Sequence, residues 1–382
     1  MVGPIPYKSE GPSGRAIRVM KPRRLLFYTH ALVGGGAERV WARLAAGFAE
    51  RGDDVDFVVD FEAQENLRFL GEKARLVVLP KGHGAATLAL ARHLRNRRPH
   101  ASLSAISVSN LKHAIAAQLA GRGDRAMLSY HGFYESEPER LSNIGYRLTR
   151  RLANATARTV AVSDSLRADL IDRFGVAPER VVTLFNPAAP EPFPSPLTAR
   201  DLAARPPLVV AIGRLVPDKD FAGLLHAFAQ VKTPGARLRI LGEGPLRAEL
   251  TVMRDQLGLA GRVELPGFTS DIAGELGAAR CFALSSRTES FGLACVEALA
   301  FGLPCVVTAC GGPQEIIDKP ALGAVVPVGD RAALALAIDA ALSDAGDPAP
   351  RQSRAHDFAL DVALDHYDAL ITHVMSQARS PV

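Results

Sequence analysis

Cysteine is scarce in this chain. Only four of its 382 residues are cysteines: Cys281, Cys295, Cys305 and Cys310. No two form a Cys-x-x-Cys pair and no histidine stands at ligand spacing from them, so the common zinc sites are excluded. All four fall in expected strands or helix starts of one region, which reads as buried thiols of a reducing, cytoplasmic protein. Long apolar runs are also missing. None approaches the ~20 residues that a bilayer-spanning helix needs. Residues 1–23 carry Gly, Pro and basic side chains without an apolar stretch of signal-peptide length, and are expected to be a disordered basic tail. No segment repeats at a solenoid period. One Asp-x-Asp occurs, Asp54-Val-Asp56, but it opens an expected strand just past Gly52, away from the other polar candidates. It is not taken as a metal site, and no metal or cofactor is expected.

What is present is ordinary globular composition, 48% hydrophobic and 22% charged, in a chain long enough for two domains with full cores. The net charge of +5 is unevenly spread. Residues 1–190 hold 28 Lys and Arg against 18 Asp and Glu; the remainder holds 17 against 22. A basic half joined to a mildly acidic half points to an anionic surface or ligand near the first, with a merely solvated basic face as the competing reading.

Short β-branched runs alternate with helical patterns throughout. Arg24–His30, Val55–Asp60, Arg75–Leu79, Ala101–Ile106, Ala126–Tyr130, Thr159–Val162 and Val181–Phe185 read as strands, with helices between them, including one over Glu139–Ala153. Asn186 to Pro196 then places five prolines in eleven residues, which no strand or helix interior accepts. After it the alternation restarts at Leu208–Ile212 and runs through Arg237–Leu241, Val263–Leu265, Cys281–Leu284, Cys305–Val307 and Ala324–Val326. The expected architecture is α/β: two doubly wound parallel-sheet domains, 24–186 and 207–355, joined by a linker at 187–206 and followed by a helical pattern and tail from 356 onward. Ligands of such sheets sit outside the carboxyl ends of the strands.

The chemistry-bearing segments stand at those ends. Glu289-Ser-Phe-Gly-Leu-Ala-Cys-Val-Glu297 brackets a helix start with two carboxylates. Ser290 reads as its N-cap, and its leading N–H groups suit a phosphate. On one continuous helix the two carboxylates would lie roughly 12 Å apart along the axis. A retaining glycosidase needs ~5 Å, so they read as separate hydroxyl-recognising groups. Gly213-Arg-Leu-Val-Pro-Asp-Lys219 offers Arg214 and Lys219 as a clamp for a diphosphate, whose growing negative charge fixed cations stabilise most in the transition state. Gly242 and Gly244, in Gly242-Glu-Gly-Pro245, allow a tight strand-to-helix turn close to a nucleotide. Gly34-Gly-Gly-Ala-Glu-Arg39 opens the first helix. A dinucleotide fingerprint would put its third small residue at Arg39, so nicotinamide binding is set aside in favour of a loop, with Gly35 and Gly36, that lets backbone approach a sugar or phosphate. His131 follows a strand of the first half, where a neutral ring could bond a sugar hydroxyl. Gly311-Gly-Pro-Gln-Glu315 stands at the same sheet end as Glu289, and Phe268 is a candidate neighbour of a base. Each segment taken singly is also compatible with a plain turn or a solvated side chain.

In their order these segments, with Ala161-Val-Ser163, resemble the retaining nucleotide-sugar glycosyltransferases of glycosyltransferase family 4, with the two-Rossmann GT-B fold, which implies that the last helix, from 356 onward, returns to the first domain. The resemblance implies that Arg214 and Lys219 bind the donor diphosphate. It implies that Glu289 touches the donor sugar, the backbone of Phe291, Gly292 and Leu293 caps the phosphate, and Glu297 holds the ribose. It places His131 on the sugar from the other domain and Gly35 and Gly36 beside the acceptor. It also implies metal independence and a same-face mechanism in which the leaving phosphate takes the acceptor proton. Two departures are Pro313 before Gln314, and Asp220 after Lys219 where glycine is common. The expected partners are a UDP- or GDP-sugar and a glycan or lipid-linked glycan hydroxyl, with no nucleic acid. Arg140, Arg147, Arg150, Arg151 and Arg158, set among apolar residues, suggest peripheral contact with an anionic leaflet. The alternatives are a non-catalytic nucleotide-sugar sensor and a two-Rossmann epimerase.

Overall fold

The computed structural model describes residues 22–137 and 139–378, so nearly all of the expected basic tail lies outside the described residues. Of its residues only Pro22 and Arg23 are described, and Arg23 is pinned by ion pairs to Asp53 and Asp368, both at 2.6 Å.

The chain divides into two compact units, one running up to Pro187 and again from Leu360, the other Ala188–Ala359. In the first, β1 (Arg24–Thr29), β2 (Asp54–Val59), β3 (Arg75–Val78), β4 (Ala101–Ala105), β5 (Ala126–Tyr130), β6 (Arg158–Ala161) and β7 (Val181–Thr183) form one sheet, ordered β3-β2-β1-β4-β5-β6-β7. In the second, β8 (Leu208–Ile212), β9 (Arg237–Leu241), β10 (Val263–Gly267), β11 (Cys281–Leu284), β12 (Cys305–Thr308) and β13 (Gly323–Val326) are ordered β10-β9-β8-β11-β12-β13. Each pairing is parallel. Helices cover both faces, which is why central strands such as β1, β4 and β8 are buried almost along their whole length rather than at alternate residues. Strand order reverses between β1 and β4 and between β8 and β11, and those reversals open the crevices in which such sheets bind ligands.

In the first unit the helix Gly36–Glu50 buries Val40, Trp41, Leu44 and Phe48, a helical stripe, with Trp41 edge-on to Phe27 of β1 at 5.4 Å. The final helix, Leu360–Gln377, packs on that helix: Tyr367 meets Trp41 at 6.2 Å and Arg51 pairs with Asp365 at 2.7 Å. A Cβ on Gly47 would come 2.5 Å from Leu364 Cδ1, so the two helices pass closely there. In the second unit Val209, Leu224, Phe228, Leu238 and Ile338 share one core.

Several expectations change. The single helix over Glu139–Ala153 is two, Arg140–Arg147 and Thr149–Ala155. Its apolar side chains Tyr146 and Leu152 are buried, leaving Arg140, Ile144, Arg147, Arg150 and Arg151 outward. The proline-rich stretch has no regular structure but is tied down: Phe193 stacks on His356 at 3.8 Å and Gln352 donates to the Ser195 carbonyl at 3.0 Å. The helix Ala349–His356 was not anticipated, because two of its three buried positions are polar. Arg351 donates to the carbonyls of Gly302 and Ala321, and Gln352 to that of Ala300.

Candidate active site

The second unit gathers most of the candidates at the carboxyl ends of its strands. The turn after β8 carries Gly213 to Lys219, and those after β9, β11 and β12 carry Gly242–Gly244, Ser285–Glu289 and Cys310–Gly312. Lys219 and Glu289 form an ion pair across the β8/β11 reversal. The two loops are fixed to each other by backbone as well. Ser285 Oγ donates to the Lys219 carbonyl at 2.8 Å, and the Arg287 N–H to the Asp218 carbonyl at 2.7 Å. Arg214 is exposed on the same loop and enters no ion pair among the described residues. The cation thus stands beside the acid that was expected to read the donor sugar.

The glycines have a steric reason. At Gly242, with φ of +137°, a Cβ would lie 2.0 Å from the Gly213 carbonyl oxygen; at Gly244 it would lie 2.5 Å from that of Leu215. Backbone crosses backbone at both points, and only glycine permits it. Asp220 follows Lys219 with φ of +45°, the left-handed conformation that explains a preference for glycine there. Its side chain caps the helix Phe221–Phe228 by accepting from Gly223 at 3.1 Å, a local hydrogen bond that helps an aspartate hold this conformation.

The helix after β11 begins later than expected. It spans Leu293–Ala300 and its N-cap is Gly292, φ +100°, rather than Ser290. The chain must first turn through a left-handed residue, which Ser290 would resist and Gly292 does not. Glu289 is therefore no part of the helix. It forms a bridge to Gly311, its N–H on the Cys310 carbonyl at 3.0 Å and its carbonyl accepting from Gly312 at 2.9 Å. Glu297 lies four residues into the helix, about 6 Å along its axis. The Phe291 ring is buried edge-on to Phe358 at 5.6 Å, so this residue offers a ligand its backbone alone. Cys310 borders the site, and burial raises its thiol to about 11, which leaves it protonated and inert at neutral pH. Phe268, one residue beyond β10, is 78% exposed.

In the first unit Gly35 caps the helix Gly36–Glu50, and the loop before it hangs on Asn66, whose amide donates to the carbonyls of Val33 and Gly35. His131, just past β5, bonds Ser129 Oγ through Nε2 at 2.9 Å and lies edge-on to Trp41 at 5.6 Å. Burial lowers it to about 3, so the ring is neutral at physiological pH. Asp56 is held by Arg75, His93 and Arg97. Burial works to raise it, but those bonds outweigh that and bring it to about 2. The Asp-x-Asp is thus a structural ion cluster. Among the described residues no group of three or more His, Cys, Asp or Glu is placed to hold a metal ion.

Sequence reasoning missed Asn66 and also His30 and Asp60, which it left as the last residues of two strands. Their position at strand ends was the available signal.

Residues 199–357 match the family described as Glycosyl transferases group 1, and residues 34–191 match Glycosyltransferase Family 4. Both matches are to glycosyltransferase families, one on each part of the chain. The chain is 34% identical over 160 residues to the lipopolysaccharide core biosynthesis glycosyltransferase LpsD of Rhizobium meliloti, covering 41% of this chain and 45% of that protein. It is 33% identical over 239 residues to an exopolysaccharide phosphotransferase of Streptomyces coelicolor, 60% of this chain and 24% of the other. The chain therefore spans less than half the length of these curated relatives. The crystal structure of Anabaena HepE in complex with UDP has the same fold, with a TM-score of 0.77 over 92% of this chain and 100% of that one at 20% identity. The glycosyltransferase fold here is GT-B: two Rossmann-like units, each with its candidate residues at the carboxyl edge of a parallel sheet.

Proposed function

We infer that the chain moves a sugar from a nucleoside diphosphate sugar to a hydroxyl of a glycan or lipid-linked glycan, in cell-surface polysaccharide or lipopolysaccharide synthesis. The observation that carries this reading is the Lys219–Glu289 pair at the β8/β11 reversal, with Arg214 exposed on the same loop and the Gly292-capped helix following Glu289. A diphosphate entering there meets two cations and a helix mouth, while Glu289, released from or shared with Lys219, is left to a donor-sugar hydroxyl and Glu297 to the ribose. Fixed charges aimed at the leaving phosphate stabilise the transition state more than the ground state. The names of LpsD and the UDP-bound HepE support the substrate class. Retention of configuration and independence from metal are part of this proposal, with the leaving phosphate taking the acceptor proton. So are a cytoplasmic location and contact of the arginine-rich face, Arg140 to Arg151, with an anionic leaflet; no described helix is long and apolar enough to cross a membrane.

A thermal-shift panel of UDP, GDP, ADP and their hexose derivatives tests it. Ligand at about 100 times its dissociation constant adds ~2.7 kcal/mol of stability. One base family should stabilise the protein; no response to any nucleotide would remove the donor site. NMR of the product anomer then decides retention against inversion.

A further inference from the structure

A second cluster of charge lies in the first unit, outside the residues assigned above. His30 and Asp60 are the residues just beyond β1 and β2, whose pairing brings Thr29 opposite Val59. The Asp60 N–H continues that ladder to the His30 carbonyl at 2.9 Å. The Asp60 carboxylate, 8% exposed, accepts from Tyr28 OH at 2.8 Å on one oxygen. On the other it meets His30 Nδ1 at 2.5 Å and the buried ammonium of Lys112. Burial works to raise the Asp60 carboxyl, but these bonds outweigh it and hold it below the usual range. Buried charge held this way, at the edge where such sheets bind ligands, has a cost that a plain loop would not need.

The cluster presents one group outward. The His30 side chain is 34% exposed, and Nδ1 is the nitrogen engaged by Asp60. In the neutral ring that arrangement fixes the Nδ1–H tautomer and leaves Nε2 as an acceptor. Phe61, 42% exposed, lies edge-on to His30 at 5.0 Å, and exposed His83 stacks on it at 6.3 Å. The stretch from Asp60 to Asn66 therefore supports two things at once: His30 through Asp60, and the glycine loop through Asn66.

Neither the Asp60 nor the Lys112 charge is free for an occupant, which points to a neutral one. Lys112 is spent on Asp60 and too buried to reach an anion, while the Asp60 carboxylate is buried against Tyr28, His30 and Lys112 and faces inward. An aromatic surface beside a single oriented acceptor suits a pyranose, with its apolar face on the rings and one hydroxyl on the imidazole. We propose that His30, oriented by Asp60 and flanked by Phe61 and His83, is the subsite that receives a hydroxyl of the acceptor sugar. This rests on the transferase reading, and it names where in the first unit the acceptor is held.

Saturation-transfer NMR with a panel of methyl hexosides tests it without turnover. The wild type should give signals from at least one glycoside. His30→Asn, which keeps a donor for Asp60 and deletes Nε2, should weaken that glycoside at least tenfold, as should Phe61→Ala on the surface. Both variants should keep the wild-type melting temperature and response to UDP or GDP. Nitrogen-15 NMR of the ring should show the proton on Nδ1. No glycoside signal with wild type, undiminished binding by His30→Asn, a proton resident on Nε2, or displacement of the glycoside by inorganic phosphate overturns the proposal. Failure of the transferase reading shows separately, as a wild-type protein that no nucleoside diphosphate stabilises.

Discussion

Arg214 and Lys219 sit five residues apart but in different electrostatic settings. Arg214 is exposed and makes no ion pair among the described residues, so its charge is available without rearrangement. Lys219 is committed to Glu289, with both side chains mostly buried. Turnover of a nucleotide sugar should fall ~10²–10³-fold for Arg214→Ala and for Lys219→Ala, the usual cost of removing one such donor. Melting should separate them. Arg214→Ala should melt like the wild type, whereas Lys219→Ala strands the Glu289 carboxylate and should cost about 1–2 kcal/mol. Wild-type turnover by Arg214→Ala would remove the clamp.

At the scale of elements, two glycines mark two kinds of close approach. Gly242 lets the turn after β9 cross the backbone after β8, and an added methyl would meet a carbonyl oxygen that cannot step aside. Gly47 lets the last helix cross the first, and there the methyl would meet the end of the Leu364 side chain, which can rotate. Gly242→Ala should lower stability by ~1–3 kcal/mol and weaken nucleotide binding with it. Gly47→Ala should be nearly neutral, because helix propensity returns up to ~1 kcal/mol. Urea denaturation measures both; equal losses would mean that the backbone crossing is not the constraint it looks to be.

For the molecule as a whole, burial of ionisable groups in the first unit sets a pH dependence. His113, sealed between Ser102 and Ser104 at 2.9 Å from each, and His131 are both lowered by burial to about 3. His100 and His366 shift the same way from the ordinary 6.5, again through burial. As pH falls below 6.5 the unfolded chain takes up protons that the folded chain refuses, so stability falls with acid. Glu137 opposes this. Burial raises it from 4.5 to about 7, so its contribution is full below 4.5 and is lost as pH rises through 7. Burial raises Asp169 in the same direction as Glu137. Four histidines act against these two carboxyls, and the urea midpoint should decline from pH 6.5 to 4.5. His113→Gln should flatten the decline. A midpoint that rose with acid over that window would contradict the assignment.

The sequence by itself determined what depends on neighbours along the chain. All thirteen strands were legible to within two residues at either end, because β-branched runs and helical spacing are local signals. The break near Asn186 followed from prolines that no regular element accepts, and the glycine loops followed from their place after strands. Tertiary structure alone decided the rest. The return of the last helix was expected, but its seat was not: Leu364 comes against Gly47, more than three hundred residues earlier. The polar helix Ala349–His356 is buried because Arg351 and Gln352 find carbonyls far along the chain. Lys219 meets Glu289 and His30 meets Asp60 because parallel strands bring separate loops to one sheet edge. Spacing along a chain reports which element a residue joins. Which charge it faces is set by how strands are ordered in the sheet, and that order has no local signature.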